Sequence, residues 1–300
     1  MIYYFCYLIS LLPFGVLYVL SDILCFFVKL FGYRKKVILR NLRNSFPEKT
    51  DAEIRRLLNE FYAYFTDLML ETVKTLSMTE KDFRQRMVFL NVEEIDARAE
   101  NKQNMVLYLA HYGNWEWLNF GRVAFAKQKQ YLSYSVYHQQ SSSGFDEFMQ
   151  KLRQKAGCIL VPQEKVPRFL VQMRSKEDKR GFLCLIADQS PMWSNTYFWM
   201  DFLNQETAPI VGPERIARQT KWPVYYLEVK RIKRGYYTAE FKLLVEDPMT
   251  LPEKELTKIY MRTLEQQIKE NPVIWLWSHN RWKRKKEDMP TNYDKENKIK

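Results

Sequence analysis

The sequence predicts an α/β protein in which helices flank a largely parallel central sheet and an apolar N-terminal helix anchors the chain to a membrane. Three observations support this prediction. The first 33 residues carry almost no charge, and the chain after them alternates between short apolar segments and helical segments. The short segments are rich in Val, Ile, Leu, Tyr and Phe, which is typical of βαβ units in a parallel sheet. We therefore expect an anchor over residues 1–33 and one larger domain over residues 34–300.

The predicted anchor carries a single charge, that of Asp22, between Tyr3 and Val28. A helix needs roughly 20 apolar residues to cross a bilayer. The segment is long enough, but Pro13, Gly15 and Asp22 interrupt it. A spanning helix, a bent or re-entrant pair in one leaflet, and a helix packed in a soluble core all stay open. Basic residues follow the segment instead of preceding it, which argues against a signal peptide and predicts a cytoplasmic main domain.

Composition excludes several classes of protein. With 46% hydrophobic and 27% charged residues the chain is not disordered. The net charge of +12 predicts a surface that attracts nucleic acid, anionic lipid or an acidic protein. The four cysteines show no CxxC spacing, so neither a disulfide framework nor a zinc site is indicated. The chain has no P-loop, dinucleotide fingerprint or HExxH, and Ser141–Ser143 do not form a nucleophile elbow.

A long helix is predicted to begin after Thr50, because Thr50 and Glu53 have the spacing of a capping box and apolar residues follow at intervals of three and four. Two more helices are predicted at Pro209–Arg218 and Glu253–Lys269. The predicted strands are Met105–Ala110, Tyr131–Val136, Cys158–Val161, Phe182–Ala187, Val224–Val229 and Thr238–Val245.

The stretch LAHYGNWEW places His111 directly after the strand Met105–Ala110, at the end of the strand where open α/β sheets bind ligands. Gly113 allows a tight turn, and we expect a helix to begin near Glu116 so that its carboxylate reaches back to the imidazole. A carboxylate that accepts from Nδ1–H fixes the tautomer and leaves Nε2 free to take a proton near neutral pH. A core-edge histidine with a solvated glutamate is the simpler alternative. The strand end, the glycine and the two flanking tryptophans favour a catalytic dyad.

Further motifs accompany HYGNWEW in chain order. They are RKKVILRNLRNSFPE, Arg153 and Gly157 in KLRQKAGCIL, Ala187-Asp188-Gln189, Gly212 to Arg218 in VGPERIARQTKWPV, and NPVIWLWSHNRWKRK. Together they resemble the bacterial late acyltransferases of lipid A biosynthesis, which are part of the wider H-x4-D/E glycerolipid acyltransferase superfamily. The resemblance covers almost the whole chain, and several separated motifs in the same order make it specific.

The resemblance implies that residues 34–300 are an acyltransferase catalytic domain that uses no cofactor or metal. His111 would deprotonate an acceptor hydroxyl for attack on an acyl thioester, with Glu116 orienting the imidazole. Arg153 is the candidate to stabilise the developing oxyanion, and the amides around Gly113 are a second option.

Six residues are expected to bind substrate: Asn114, Arg153, Asp188, Gln189, Arg281 and Lys283. Asp188 and Gln189 follow a strand and would line the same crevice as His111, without an assigned role. Arg281 and Lys283 would meet lipid phosphates or an acidic carrier protein.

The implied location is the cytoplasmic face of the bacterial inner membrane. The implied partners are acyl carrier protein as donor and a phosphorylated lipid A precursor as acceptor, with no nucleic acid. The net charge of +12 agrees with both, because the carrier is acidic and the acceptor carries phosphates.

Two departures from the family pattern keep alternatives open. Tyr137-His138 stands where the family commonly has Tyr-Arg, which is expected to remove a phosphate contact. Phe202-Leu203-Asn204 stands where it commonly has Phe-Phe-Gly, which is expected to alter the lipid pocket. The alternatives are acylation of an amino-acid lipid or a lysophospholipid, thioester hydrolysis at the same dyad, and a non-catalytic, basic, membrane-tethered binding protein.

Overall fold

The computed structural model describes residues 2–120, 131–137, 143–155, 157–176 and 180–291. The α-helices in these ranges, labelled α1 to α10, are Ile2–Ser10, Phe14–Phe31, Lys35–Ser45, Asp51–Lys74, Glu80–Arg86, Val92–Glu100, Ser143–Lys155, Val166–Ser175, Gly212–Thr220 and Glu255–Glu270. The strands, labelled β1 to β9, are Met87–Leu90, Met105–Leu109, Leu132–Tyr137, Ile159–Pro162, Gly181–Ile186, Met200–Phe202, Gln205–Thr207, Val224–Lys233 and Tyr236–Val245.

Seven of the strands form one sheet in the order β1-β9-β8-β2-β5-β3-β4. Every neighbouring pair is parallel except β8 and β9, which form an antiparallel hairpin. Strand β2 is buried along its whole length, as expected for a strand in a parallel sheet covered on both faces. The predicted α/β fold with a largely parallel sheet is thereby confirmed.

The six predicted strands correspond to β2, β3, β4, β5, β8 and β9. Strand β1 and the small β6–β7 hairpin were not predicted. Strands β6 and β7 have three residues each, which are too few to show a periodicity.

Helix α4 begins with the predicted capping box. Thr50 Oγ1 accepts from the Glu53 N–H, and the Thr50 N–H donates to the Glu53 carboxylate. These two hydrogen bonds satisfy N–H groups that the first turn leaves without partners. The helix then runs for 24 residues and packs the N-terminal helices against the rest of the protein.

The apolar N-terminal segment forms two helices, α1 and α2, separated at Pro13. Helix α2 is long and apolar enough to cross a membrane by length and composition. One face of α2 is buried against α4 through Leu17, Ser21 and Cys25. Its other face and that of α1 expose large apolar side chains: Tyr4, Phe5, Leu8, Val16, Val19, Ile23, Phe26, Phe27, Leu30 and Phe31.

Candidate active site

His111 and Asp188 follow neighbouring parallel strands. Strands β2 and β5 pair in a register that sets Leu109 opposite Ile186, and His111 and Asp188 each lie two residues beyond that pair. Because parallel strands end at the same edge of a sheet, the two side chains meet at the carboxyl-end edge, where α/β folds bind ligands.

The Asp188 carboxylate holds His111 by both its ring and its backbone. Nδ1 of His111 lies 2.7 Å from Asp188 Oδ1, and the His111 backbone N–H donates to Oδ2 over 3.0 Å. The indole N–H of Trp275 also donates to Oδ2, over 2.9 Å. Burial acts to raise the pKa of Asp188, but the His111 ring and these hydrogen bonds outweigh it and hold the pKa below its usual 3.8. Asp188 is therefore an anion at neutral pH, although only 2% of its side chain is exposed.

The partner of Nδ1 decides the tautomer of His111. An ionised carboxylate can only accept, so the proton lies on Nδ1 and Nε2 is left as an acceptor. The amide nitrogen of Gln189 lies 3.4 Å from each ring nitrogen, too far for a strong hydrogen bond. The ring is 20% exposed and lines a cavity of about 500 Å³. Nε2 is thus poised to accept a proton from a group that enters this cavity.

The cavity beside His111 is mainly apolar. It lies between the carboxyl ends of β3 and β5 and the first turns of α8 and α9. Its apolar lining consists of Val136, Val166, Pro167, Leu185, Ile186, Pro191, Met192, Ile210, Pro213 and Ile216. Such a lining, with a few polar groups near one end, suits a hydrocarbon chain whose reactive end lies at the histidine.

Glu116 binds Arg153 and not the imidazole, so the expected His111–Glu116 hydrogen bond is wrong. Its two oxygens accept from Nε and Nη2 of Arg153 over 2.9 and 2.7 Å, which is a bidentate ion pair. The reason lies in the backbone. Glu116 lies in a turn that leads into a short 3-10 helix, Trp117–Phe120, and not in the first turn of an α-helix, and its side chain meets α7, which carries Arg153. Arg153 therefore has its charge matched by a buried carboxylate and less to offer an oxyanion than the sequence predicted.

Gly113 forms the tight turn that the sequence predicted. Its φ is +59°, and a Cβ at this position would stand 2.6 Å from Val229 Cγ1, so a side chain is excluded for two reasons. The Gly113 N–H donates to the Ile274 carbonyl over 2.9 Å, and its carbonyl accepts from the Tyr64 hydroxyl over 2.7 Å. The Gly113 amide, one of those expected as a second oxyanion donor, is therefore already bonded within the protein.

Asn114 stabilises the loop that follows β2, residues 110–116, from within the protein. It is fully buried, its Nδ2 donates to Glu71 Oε2 over 2.8 Å, and its Oδ1 accepts from the Trp117 N–H. Both polar groups are thus bonded within the protein, in contrast to the expected contact with substrate. Burial raises the pKa of Glu71, and hydrogen bonds from Asn114 and Tyr237 act against that rise.

The motif NPVIWLWSHNRWKRK, residues 271–285, packs against His111 and Asp188. The Leu276 N–H donates to the His111 carbonyl, and Trp275 binds Asp188 as described above. Asn41 of α3 donates to the carbonyls of Trp277 and His279, so the basic segment after the anchor holds this motif in place.

Arg281 and Lys283 lie in different environments. Arg281 is 1% exposed and donates to the Thr207 hydroxyl and the Ala208 carbonyl, so it does not lie on a surface that a carrier protein can reach. Burial lowers the pKa of Arg281 to about 10, which leaves it charged at neutral pH. Lys283 is exposed, and Arg284 donates to the hydroxyl of Ser190, which lines the cavity.

The two departures from the family pattern have different outcomes. Leu203 and Asn204 form the turn of the β6–β7 hairpin with positive φ values, a conformation that asparagine tolerates better than most residues. Asn204 donates to the Ser45 carbonyl and does not line the cavity beside His111, so the expected change in that pocket is not seen. His138 lies outside the described residues.

Sequence reasoning missed the roles of Trp275 and Glu71. No role is predicted for Trp275 from the sequence, although a buried indole N–H usually needs an acceptor and so points to a polar partner. Glu71 follows Leu68 by three residues on the apolar stripe of α4, and a carboxylate at a buried position of a stripe signals a polar network.

Within the described ranges, no group of three or more His, Cys, Asp or Glu side chains could hold a metal ion. The model of a family described as bacterial lipid A biosynthesis acyltransferase matches residues 1–284 of the 300 in this chain. The matched range includes the N-terminal helices and every candidate site residue. A comparison with curated proteins finds no match.

Proposed function

Because the chain belongs to the family of bacterial lipid A biosynthesis acyltransferases, we propose that it moves an acyl chain from an acyl carrier protein thioester to a hydroxyl of a lipid A precursor. The observation that carries the proposal is the 2.7 Å contact between His111 Nδ1 and the ionised Asp188, with Nε2 facing an apolar cavity.

The chemistry follows from the tautomer of His111. Nε2 takes the proton of the acceptor hydroxyl as its oxygen attacks the thioester carbonyl, and Asp188 stabilises the imidazolium that forms. The tetrahedral intermediate collapses when the carbon–sulfur bond breaks, and the imidazolium returns its proton to the leaving thiolate. The products are an ester on the acceptor and a free thiol on the carrier, and no protein nucleophile is needed.

Asp188 takes the orienting role that the sequence analysis gave to Glu116. We assign Glu116 and Arg153 to holding the far side of the His111 loop against α7, since their ion pair is bidentate and largely buried.

The substrates fit the cavity and its rim. The apolar lining would hold the acyl chain, with the thioester carbonyl next to His111. Lys283 is exposed, and Arg284 binds neutral groups, the Ser190 hydroxyl and the Trp193 ring. These cations would attract the phosphates of the acceptor or acidic side chains of the carrier.

Membrane association would rest on the apolar surface of α1 and α2. Their exposed apolar side chains form a continuous face, whereas a soluble surface has only scattered apolar residues. The basic residues Lys35 and Lys36 follow this face directly in the chain. This arrangement supports a location at the cytoplasmic leaflet of the inner membrane.

The test is acyl transfer by the full chain in membrane vesicles, with radiolabelled acyl carrier protein thioester and a phosphorylated lipid A precursor. Wild type is compared with His111→Ala and Asp188→Asn. Asp201→Asn, which removes an exposed carboxylate on β6, is the matched control.

The proposal is supported when label reaches the lipid with wild type and with Asp201→Asn, but not with His111→Ala or Asp188→Asn. Label in another membrane lipid overturns the acceptor, and label released as free acid makes the protein a thioesterase. Full activity of His111→Ala removes the histidine from the mechanism.

A further inference from the structure

Helix α2 is held against α4 and the loop after His111 by its N-terminal half and by the residues just past its end. It runs antiparallel to α4, and contacts recur about once per turn over its N-terminal half and again just past its end. In order along the chain they are Phe14 with Trp117, Tyr18 with Glu71, Ser21 with Thr66 and Asp67, and Tyr33 with Tyr62. These contacts are mostly hydrogen bonds between specific side chains, so they fix the axial position of the helix as well as its rotation.

The partners at the middle of α2 are charged. Asp67 accepts from both Arg231 and Arg234, over 2.8 and 2.6 Å, and Arg234 also binds Asp22 over 2.6 Å. In a spanning α2, residues 18–22 would stand near the centre of the bilayer. This charge network and the β8–β9 hairpin that carries the two arginines would then lie in hydrocarbon, where charges and open sheet edges are strongly disfavoured.

We infer that α2 does not cross the membrane but lies along the cytoplasmic leaflet, docked on α4, with its exposed face in the acyl region of an anionic bilayer. The inference rests only on the membrane association in the proposed function, not on the acyl-transfer chemistry. It selects the one-leaflet arrangement from those that the sequence left open.

The charges around the helix fit this arrangement. Asp22 and Lys29 are seven residues apart and therefore share one flank of α2, between its buried and exposed faces. The tip of the β8–β9 hairpin, tied to this flank by Arg234, exposes Ile232 and Lys233. Because Arg234 matches the charge of Asp22, Lys29 and Lys233 leave the border of the apolar face positive, which is typical of an interfacial helix bound to anionic lipid. We expect the hairpin tip to be a second, smaller contact with the same leaflet.

The first experiment determines on which side of the membrane the N-terminus lies. A short extension with one cysteine is added before Met1 in a Cys6→Ser background, and Lys36→Cys serves as a reporter beyond α2. Each is treated with a membrane-impermeant maleimide in spheroplasts, which expose the periplasmic face, and in inside-out vesicles. The inference predicts that both cysteines react only in inside-out vesicles. Reaction of the extension only in spheroplasts overturns it.

The second experiment asks whether α2 stays docked in the membrane. Ser21 Oγ lies 3.1 Å from Thr66 Oγ1, so Ser21→Cys/Thr66→Cys should form a disulfide on oxidation in intact vesicles. The background replaces Cys6 and Cys25 with serine. The matched control is Ile23→Cys/Thr66→Cys, because Ile23 is 51% exposed on the opposite face. We expect at least a tenfold preference for the first pair, and equal cross-linking of the two pairs contradicts docking.

Acyl transfer is measured in the same vesicles. If wild type transfers no acyl chain while both reporter cysteines are found on the cytoplasmic side, the proposed function is refuted and the inference stands. If wild type transfers the acyl chain while the N-terminal cysteine is found in the periplasm, the inference is refuted and the proposed function stands.

Discussion

Asp188 and Glu116 are two buried carboxylates near the loop that carries His111, and they do different things. Asp188 binds the imidazole and an indole N–H, while Glu116 binds the guanidinium of Arg153. An imidazole can take up and release a proton during a reaction, whereas a guanidinium is a permanent cation. The comparison teaches that the carboxylate closest in sequence stabilises the loop, whereas the one 77 residues away has the geometry for catalysis.

The largest expected effect comes from Asp188→Asn. The amide cannot stabilise the imidazolium and can stabilise the wrong tautomer, so kcat should fall by about 10²–10⁴-fold with little change in KM for the acyl donor. Initial rates at saturating carrier thioester measure this. Wild-type kcat in a folded Asp188→Asn protein would end the assignment of Asp188.

Glu116→Gln should act mainly on stability. It leaves Arg153 with an unmatched charge, and we expect the free energy of unfolding to fall by about 1–3 kcal/mol. This is less than the loss for a fully buried pair, because Arg153 is 26% exposed. Denaturant unfolding in detergent measures the loss.

The double variant Glu116→Leu/Arg153→Leu sharpens the comparison. It removes both charges and should recover most of the lost stability together with part of the activity. A stable double variant as inactive as His111→Ala would show that Glu116 or Arg153 acts in the chemistry itself.

The stability contributed by Asp188 should depend on pH. Its pKa is lowered in the folded protein, so the contribution is complete above about 3.8, the ordinary value, and is lost as pH falls through the lower folded-state pKa. The difference in free energy of unfolding between wild type and Asp188→Asn should therefore shrink as the pH falls below about 3.8. A difference that grows on acidification would mean that the folded-state pKa is raised instead.

The smallest effect concerns the link from α2 to the loop. Glu71 accepts from Tyr18 of α2 on one oxygen and from Asn114 of the loop on the other. Tyr18→Phe removes one hydrogen bond, worth about 0.5–1.5 kcal/mol, and should lower kcat by about two- to fivefold. Tyr62→Phe is the matched control, because its hydroxyl also joins α4 to the end of the anchor but does not contact Glu71. Equal loss in both variants would indicate a general loosening of α2.

Much of the fold could be predicted because its signals are local. The capping box at Thr50, the six predicted strands and the break at Pro13 each depend on neighbouring residues, and each is found in the structure. The β6–β7 hairpin was not predicted, because strands of three residues do not establish a period.

Which carboxylate binds His111 could not be predicted from neighbouring residues in the sequence. Sequence reasoning placed His111 and Asp188 each after a strand, but it could not order the strands. Only the sheet order, with β5 beside β2 while β3 and β4 lie further out, brings the two residues together. Glu116 was assigned to His111 on the assumption that an α-helix begins near Glu116, whereas Glu116 lies in a turn before a 3-10 helix.

The sequence by itself determined the family, the apolar N-terminal helices, and the position of a histidine at the end of a buried strand, because motifs, hydropathy and periodicity are properties of contiguous residues. The tertiary structure decided which carboxylate binds that histidine, that Arg281 and Asn114 are buried, and that α2 is docked on α4. These outcomes depend on strand order and helix packing, which join residues far apart in the chain.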